Sequence, residues 1–158
     1  ILETVHQDMT WGSSAINQID GIVSYIKSYK ITDMLDYGAG KQVVAKELAT
    51  KCPDVIVHSY DPAVPEISHK PNPASMVCCL DVLEHVEPEY IDDVLDDLSR
   101  LVLNIGYFVV STMPAQKILP DGRNAHLIVQ STEWWREQLS NRFTICEQID
   151  NLFIVYPK

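Results

Sequence analysis

The sequence predicts one α/β domain: a mostly parallel sheet with helices on both faces and an antiparallel hairpin near its C-terminus. Three observations carry this. Short apolar runs alternate with stretches of helical spacing, the pattern of strand–helix–strand units. Residues 143–148 and 152–156 read as two strands joined at Asp150-Asn151, too short a connection for a parallel pair. Three aspartates, Asp36, Asp61 and Asp81, each fall at the C-terminal end of a predicted strand. Open α/β sheets bind ligands at those ends.

The 158 residues suffice for one domain over 1–158, with a helical segment at 1–30 and the sheet core at 31–158. Trp11-Gly12 and Ser13-Ser14 supply a turn and an N-cap. Ile16, Ile19, Val23 and Ile26 recur at helical spacing and predict a helix over 14–29, despite Gly21. It either simply packs on the sheet or, with Trp11, also closes over a ligand site. Residues 31–37 form the first strand and 43–50 the next helix, with Val44 and Leu48 one turn apart and Cys52-Pro53 ending it. A second strand follows at 55–60. Pro62, Pro65, Pro71 and Pro73 then exclude a long helix.

Residues 76–80 form a third, apolar strand. The clearest helix spans 88–102: Ile91, Val94, Leu95, Leu98, Leu101 and Val102 make its apolar face, and Asp92, Asp93, Asp96 and Asp97 its wet one. A strand over 105–111 ends before Pro114. Ser131 caps a short helix bearing Trp134, Trp135 and Leu139. Adjacent helix positions point about 100° apart, so one tryptophan is expected in the core and the other at the surface or in an interface, such as that of a homodimer.

A net charge of −10 disfavours a broad phosphate-binding surface, and so nucleic acid as a partner. No apolar run approaches the ~18 residues of a membrane span. The start, Ile1-Leu2-Glu3-Thr4, lacks the basic and apolar regions of a signal peptide. The four cysteines show no C-x-x-C spacing, and Cys78-Cys79 sits in an apolar run where thiols act as small hydrophobes. No metal site is expected, and reduced thiols fit a cytoplasmic location.

The functional reading centres on Met34-Leu35-Asp36-Tyr37-Gly38-Ala39-Gly40-Lys41, a strand with an acid running into a glycine turn and then a helix. Glycine allows a sharp turn and leaves room for a ligand, and the helix N-terminus offers free N–H groups. Asp61 lies roughly 20 residues further on, where a ribose-binding acid belongs. NAD and S-adenosylmethionine (SAM) would both use such a site. Asp36, immediately before the glycines, favours SAM because it can meet an ammonium, and Val43 stands where a G-x-G-x-x-G fingerprint needs a small residue.

Over roughly residues 30–113, and more weakly beyond, the chain resembles class I SAM-dependent methyltransferases, especially small ones acting on diverse metabolites. Leu35-Asp36-Tyr37-Gly38-Ala39-Gly40 is similar to the motif whose acid and turn hold the methionine part of the cofactor. Tyr60-Asp61-Pro62 is similar to the motif whose acid takes both ribose hydroxyls. Cys79-Leu80-Asp81-Val82-Leu83-Glu84-His85-Val86 is similar to the segment flanking adenine and the methyl group. The stretch from His126 through Trp135 resembles the loop and helix before the family's final hairpin, and Gly122-Arg123-Asn124-Ala125-His126-Leu127 resembles methyltransferase-like proteins, some from phages.

The resemblance implies a Rossmann-like three-layer sandwich, SAM as cofactor and S-adenosylhomocysteine (SAH) as product. It implies a small-molecule or partner-delivered methyl acceptor. The cofactor-binding residues it implies are Asp36, Tyr37, Gly38, Ala39, Gly40, Asp61, Pro62, Leu80, Asp81 and Val82; Tyr37 either meets the cofactor's carboxylate or packs. His126, in a polar loop, and His85, whose family role is to shape the site, are the catalytic candidates. His58 reads as structural. Two departures stand out. Gln42 replaces the motif's third glycine, and only 19 residues separate Asp61 from Asp81. The sheet is therefore expected to be short of a strand, with Asn72 or Ser75 as substitute adenine partners. The alternative reading is a non-catalytic, regulatory SAM-binding scaffold.

Overall fold

The computed structural model describes residues 13–158. The role considered for Trp11 lies outside them. A 3₁₀ turn, Ser13–Gln18, leads into helix α1 (Ile19–Tyr29), and strand β1 is Asp33–Tyr37. Helix α2 (Val43–Lys51) and strand β2 (Ile56–Tyr60) follow, then a 3₁₀ turn at Pro65–Ile67 and strand β3 (Ala74–Leu80). Two further 3₁₀ turns, Leu83–His85 and Pro88–Tyr90, precede α3 (Ile91–Leu101), β4 (Val102–Val109), α4 (Thr132–Ser140), β5 (Phe143–Ile149) and β6 (Leu152–Pro157).

The six strands are ordered β2-β1-β3-β4-β6-β5. The first four run parallel, and β6 pairs antiparallel with both β4 and β5. Because β1 is followed by β2 on one side and flanked by β3 on the other, the strand order reverses there and opens a crevice at the strand ends. Between β2 and β3 the described chain contains the Pro65–Ile67 turn and no strand or α-helix. The prolines leave no room for either, and β2 becomes a sheet edge.

Side-chain alternation divides the core into two layers. Leu35, Val77, Cys79 and Phe108 join α3 and α4 on one face; Met34, Met76, Cys78 and Tyr107 join α1 and α2 on the other. Helix α3 buries Ile91, Leu95, Leu98 and Leu101. Each full burial of that kind contributes roughly 2–3 kcal/mol. Its acidic face is only partly a solvated one: Arg142 bridges Asp92 and Asp96 at 3.2 and 2.7 Å. In α1 the buried set is Ile19, Ile22 and Ile26. Ile16 is exposed because the first turn is 3₁₀, which rotates it off the helical stripe. Gly21 is required by close approach: a Cβ there would lie 2.6 Å from the Tyr107 hydroxyl of β4.

Helix α4 starts as expected, with the Ser131 hydroxyl accepting the Trp134 N–H at 3.1 Å. Trp135 is fully buried, and Trp134 stands edge-on to it, half-buried. Val102, read as the last residue of a helix, instead opens β4 and pairs with Ala74. His58 is exposed on edge strand β2, so the structural role read for it does not hold.

Candidate functional site

The C-terminal ends of β1, β2 and β3 bring Asp36, Asp61 and Asp81 to one end of the sheet. Asp36 sits in register with Ser59 of β2 and Cys78 of β3. It is 3% exposed, and burial, reinforced by the charge of Asp61, pushes its carboxyl up to about 7. Asp61 is 1% exposed and differently supported. Its Oδ2 accepts the Gly40 N–H and its Oδ1 the Ala63 N–H, both at 2.9 Å. The two acids are therefore held differently: Asp61 by two backbone donors, Asp36 by none among the described residues.

The glycine turn reads in sequence as an open cradle with free amides. In the structure its amides are spent on β2: Gly38 N–H and Ala39 N–H both donate to the Tyr60 carbonyl, at 2.7 and 2.9 Å, and Gly40 donates to Asp61. The room left by Gly38 is taken by Val82, whose Cγ2 would lie 2.4 Å from a Cβ there; Gly38 also has a φ of 84°. The turn after β1 thus packs on the turn after β3. Gln42 adopts a left-handed backbone, φ 59° and ψ 38°, at the N-cap of α2 with no side-chain cap. A glycine would take this conformation without strain.

Tyr37 turns to the opposite face from Asp36. It packs against Tyr60 and donates from its hydroxyl to Asp97 Oδ2 of α3 at 3.1 Å. Pro62 is exposed and Leu80 half-buried. Asn72 and Ser75 lie at the N-terminal end of β3, away from the three acids, and Ser75 is bound to Asp33 through N and Oγ at 3.0 and 2.6 Å. Neither reaches an adenine placed at the C-terminal ends, which corrects that expectation. Asp81 holds a left-handed φ of 54°, and its N–H donates to the Val109 carbonyl. Such backbone conformations recur at functional sites.

Beyond Asp81 the chain builds a second polar cluster. His85 is buried, and its Nδ1 lies 2.9 Å from the Ala125 carbonyl; His126 is half-buried, and its Nδ1 lies 2.6 Å from the Met113 carbonyl. A carbonyl only accepts, so each Nδ1 carries a proton and donates it. The two rings meet edge to face with centroids 4.7 Å apart. Sequence reading treated these histidines separately, and the fold brings them together. The loop bearing His126 is held firmly. Asn124 bonds both backbone groups of Ala115 and the His126 N–H. Arg123 clasps Glu87 through both terminal nitrogens at 2.7 and 2.8 Å.

Glu84 is the functional-site residue that sequence reading missed. It is fully buried, its Oε1 accepts the Ser111 N–H, and its backbone carbonyl accepts the Ile128 N–H, each at 3.0 Å. Among the described residues its Oε2 has no hydrogen-bond partner, and burial plus the nearby Asp81 push the carboxyl far above the usual range. One neutral acid thus ties the exit of β3 to the exit of β4 and to the 113–130 loop. An acid inside an apolar motif was the available signal. Among the described residues no group of three or more His, Cys, Asp or Glu side chains is placed to hold a metal ion. No helix there is long and apolar enough to cross a membrane. An open polar hollow of about 750 Å³ lies beyond β4, between Thr112, Arg136 and Asn151.

No protein-family model matches the chain, and no curated protein matches its sequence. Solved structures do match. An O-methyltransferase family protein from Burkholderia thailandensis superposes with a TM-score of 0.66 at 12% identity, covering 99% of this chain and 59% of its own. This chain therefore spans little more than half of that protein. Magnesium protoporphyrin IX methyltransferase from Synechocystis PCC 6803, with bound SAH, gives 0.62 at 16% identity, covering 90% of this chain and 83% of its own. A protein of Pyrococcus horikoshii OT3 gives 0.57 at 16%, with 97% and 93% covered. At such identities the likeness is one of architecture: the chain has the class I methyltransferase fold.

Proposed function

We propose that this chain binds SAM at the C-terminal ends of β1, β2 and β3 and transfers its methyl group to a small-molecule or partner-delivered acceptor. The observation that carries the reading is the set of three acids at three neighbouring strand ends, centred on the reversal of strand order. Two structural matches, both magnesium protoporphyrin IX methyltransferase, hold SAH and SAM respectively. The buried Asp36 carboxyl, which accepts no hydrogen bond among the described residues, suits an ammonium. Asp61 fixes the turn and supplies negative potential beside a ribose. Leu80 and Val82 offer apolar contact for adenine, and Asp81 a polar one.

When bound, the cofactor supplies an activated sulfonium methyl; the protein's part is proximity, orientation and, for an O–H or N–H acceptor, proton removal. His126 fits that last role. Its Nδ1–H is fixed on the Met113 carbonyl, leaving Nε2 as base, and His85 buttresses the ring from the interior. The polar hollow beside Thr112 and Arg136 fits an acceptor rich in hydrogen-bonding groups. Transfer of labelled methyl from SAM in the presence of cell extract tests the proposal, and His126→Gln is expected to reduce it by ~10²–10⁴-fold.

Two observations favour the second reading, a SAM-binding scaffold without turnover. Both Asp61 oxygens already accept backbone N–H groups, and the β2–β3 connection holds one 3₁₀ turn to cover an adenine. Saturable SAM binding without label transfer in any extract would select it.

A further inference from the structure

The two acids at the centre of the site are not equivalent, and the difference bears on how a cationic ligand is admitted. Asp36 and Asp61 are both nearly sealed from solvent, at 3% and 1% exposed. Asp61 accepts the amide N–H groups of Gly40 and Ala63, one on each oxygen. No donor among the described residues reaches Asp36. The titratable groups facing Asp36 are Asp61 from the exit of β2, and Cys78 and Cys79 from β3; Lys41 lies in the turn that follows. On the face that Asp36 shares with Cys78, α1 and α2 contribute the apolar Ile22, Val44 and Leu48. Two thiols, themselves held neutral by burial, and one fixed carboxylate provide no positive charge.

We infer that the amino-acid end of SAM is taken up with release of a proton from Asp36 to solvent, so that cofactor binding is linked to pH through this one carboxyl. The inference rests on the SAM-binding reading above. The free site holds Asp36 largely as the neutral acid below neutrality. A ligand ammonium placed against it is held far more strongly by the carboxylate than by the neutral acid, because only then do opposite charges meet in a buried site. The Asp36 O–H bond therefore breaks, its proton leaves to buffer, and the new contact is N–H···O between ammonium and carboxylate. Asp61 competes less well for the ammonium, because each of its oxygens already accepts a backbone N–H.

The sign follows from linkage. The bound state holds fewer protons than the free state, so apparent affinity rises with pH up to about 7 and then levels off. Calorimetric titration of the chain with SAM, in two buffers of different ionisation heat near pH 6.5, reads the proton count directly. Roughly 0.7 proton released per SAM is expected, with affinity about fivefold tighter near pH 7 than near pH 6. 5′-Methylthioadenosine, which keeps the nucleoside and lacks the ammonium, is expected to bind with no release. Asp36→Asn should bind methylthioadenosine as the wild type does, while its weakened SAM binding loses the pH dependence. Release below about 0.2 proton with SAM, or equal release with methylthioadenosine, overturns the linkage while leaving SAM binding in place. Absence of binding by both ligands instead overturns the site itself.

Discussion

The two halves of the site treat their polar groups in opposite ways. At the exits of β1 and β2, the amides of Gly38, Ala39 and Gly40 and both oxygens of Asp61 are paired with one another. At the exits of β3 and β4, backbone carbonyls anchor His85 and His126 through Nδ1, and among the described residues Glu84 keeps one oxygen unpaired. The first half is a closed frame with one unsupported acid, Asp36, at its centre. The second is a set of polar side chains anchored on the backbone of the loops around them. Under the proposed function the contrast separates holding from reacting: the frame would fix where a ligand lies, and the histidine cluster would act on what lies beside it.

That contrast can be broken most sharply at Asp36. Its folded-state carboxyl titrates near 7 against an ordinary 3.8, so the folded chain holds the proton more tightly than the unfolded one. Stability therefore falls as pH rises from about 4 to about 7, and Asp36→Asn should remove that fall. At about pH 8 the variant is expected to be more stable by on the order of 2–4 kcal/mol, read by urea denaturation. A variant less stable than wild type at that pH would show that Asp36 is supported after all.

Glu84 comes next. Glu84→Ala strands the Ser111 N–H and opens a cavity, and should cost about 3 kcal/mol. Glu84→Gln keeps shape and neutrality and should cost less than about 1 kcal/mol in the same assay. Equal losses from both would mean that the carboxylate form holds the loop. In the frame, Asp61→Ala leaves the Gly40 and Ala63 amides without their acceptor and is expected to cost about 2 kcal/mol in addition to any loss of SAM binding. Unchanged stability would remove Asp61 from the frame. The smallest effect is a gain: Gln42→Gly should raise stability by ~1 kcal/mol, because the left-handed backbone costs glutamine and not glycine. A loss on thermal unfolding would mean that the Gln42 side chain holds more than its backbone costs.

The fold was legible wherever a local pattern decides the outcome. Helix α3 came from the spacing of Ile91, Leu95 and Leu98, the α4 cap from Ser131, and the last hairpin from the short Asp150-Asn151 turn. It was misread where a distant partner decides. Val102 continues the apolar stripe of α3 and is nonetheless claimed by β3 through pairing with Ala74. His58 sits in an apolar run, but strand order makes that run an edge and turns the ring outward. In the site, the three acids were legible because strand ends are legible. That Asp61 would be enclosed by its own turn was not, since the Gly40 and Ala63 donors are backbone groups that every sequence possesses. Glu84 escaped for the same reason: its partners are the amide of Ser111 and, through its carbonyl, that of Ile128.

The central claim is that the crevice between β1, β2 and β3 holds SAM. Calorimetric titration of the chain with SAM, with NAD as the competing ligand, tests it most directly. The account predicts one saturable site per chain for SAM, displaced by SAH and indifferent to NAD. No heat of binding at millimolar SAM, or equal binding of NAD, would contradict it.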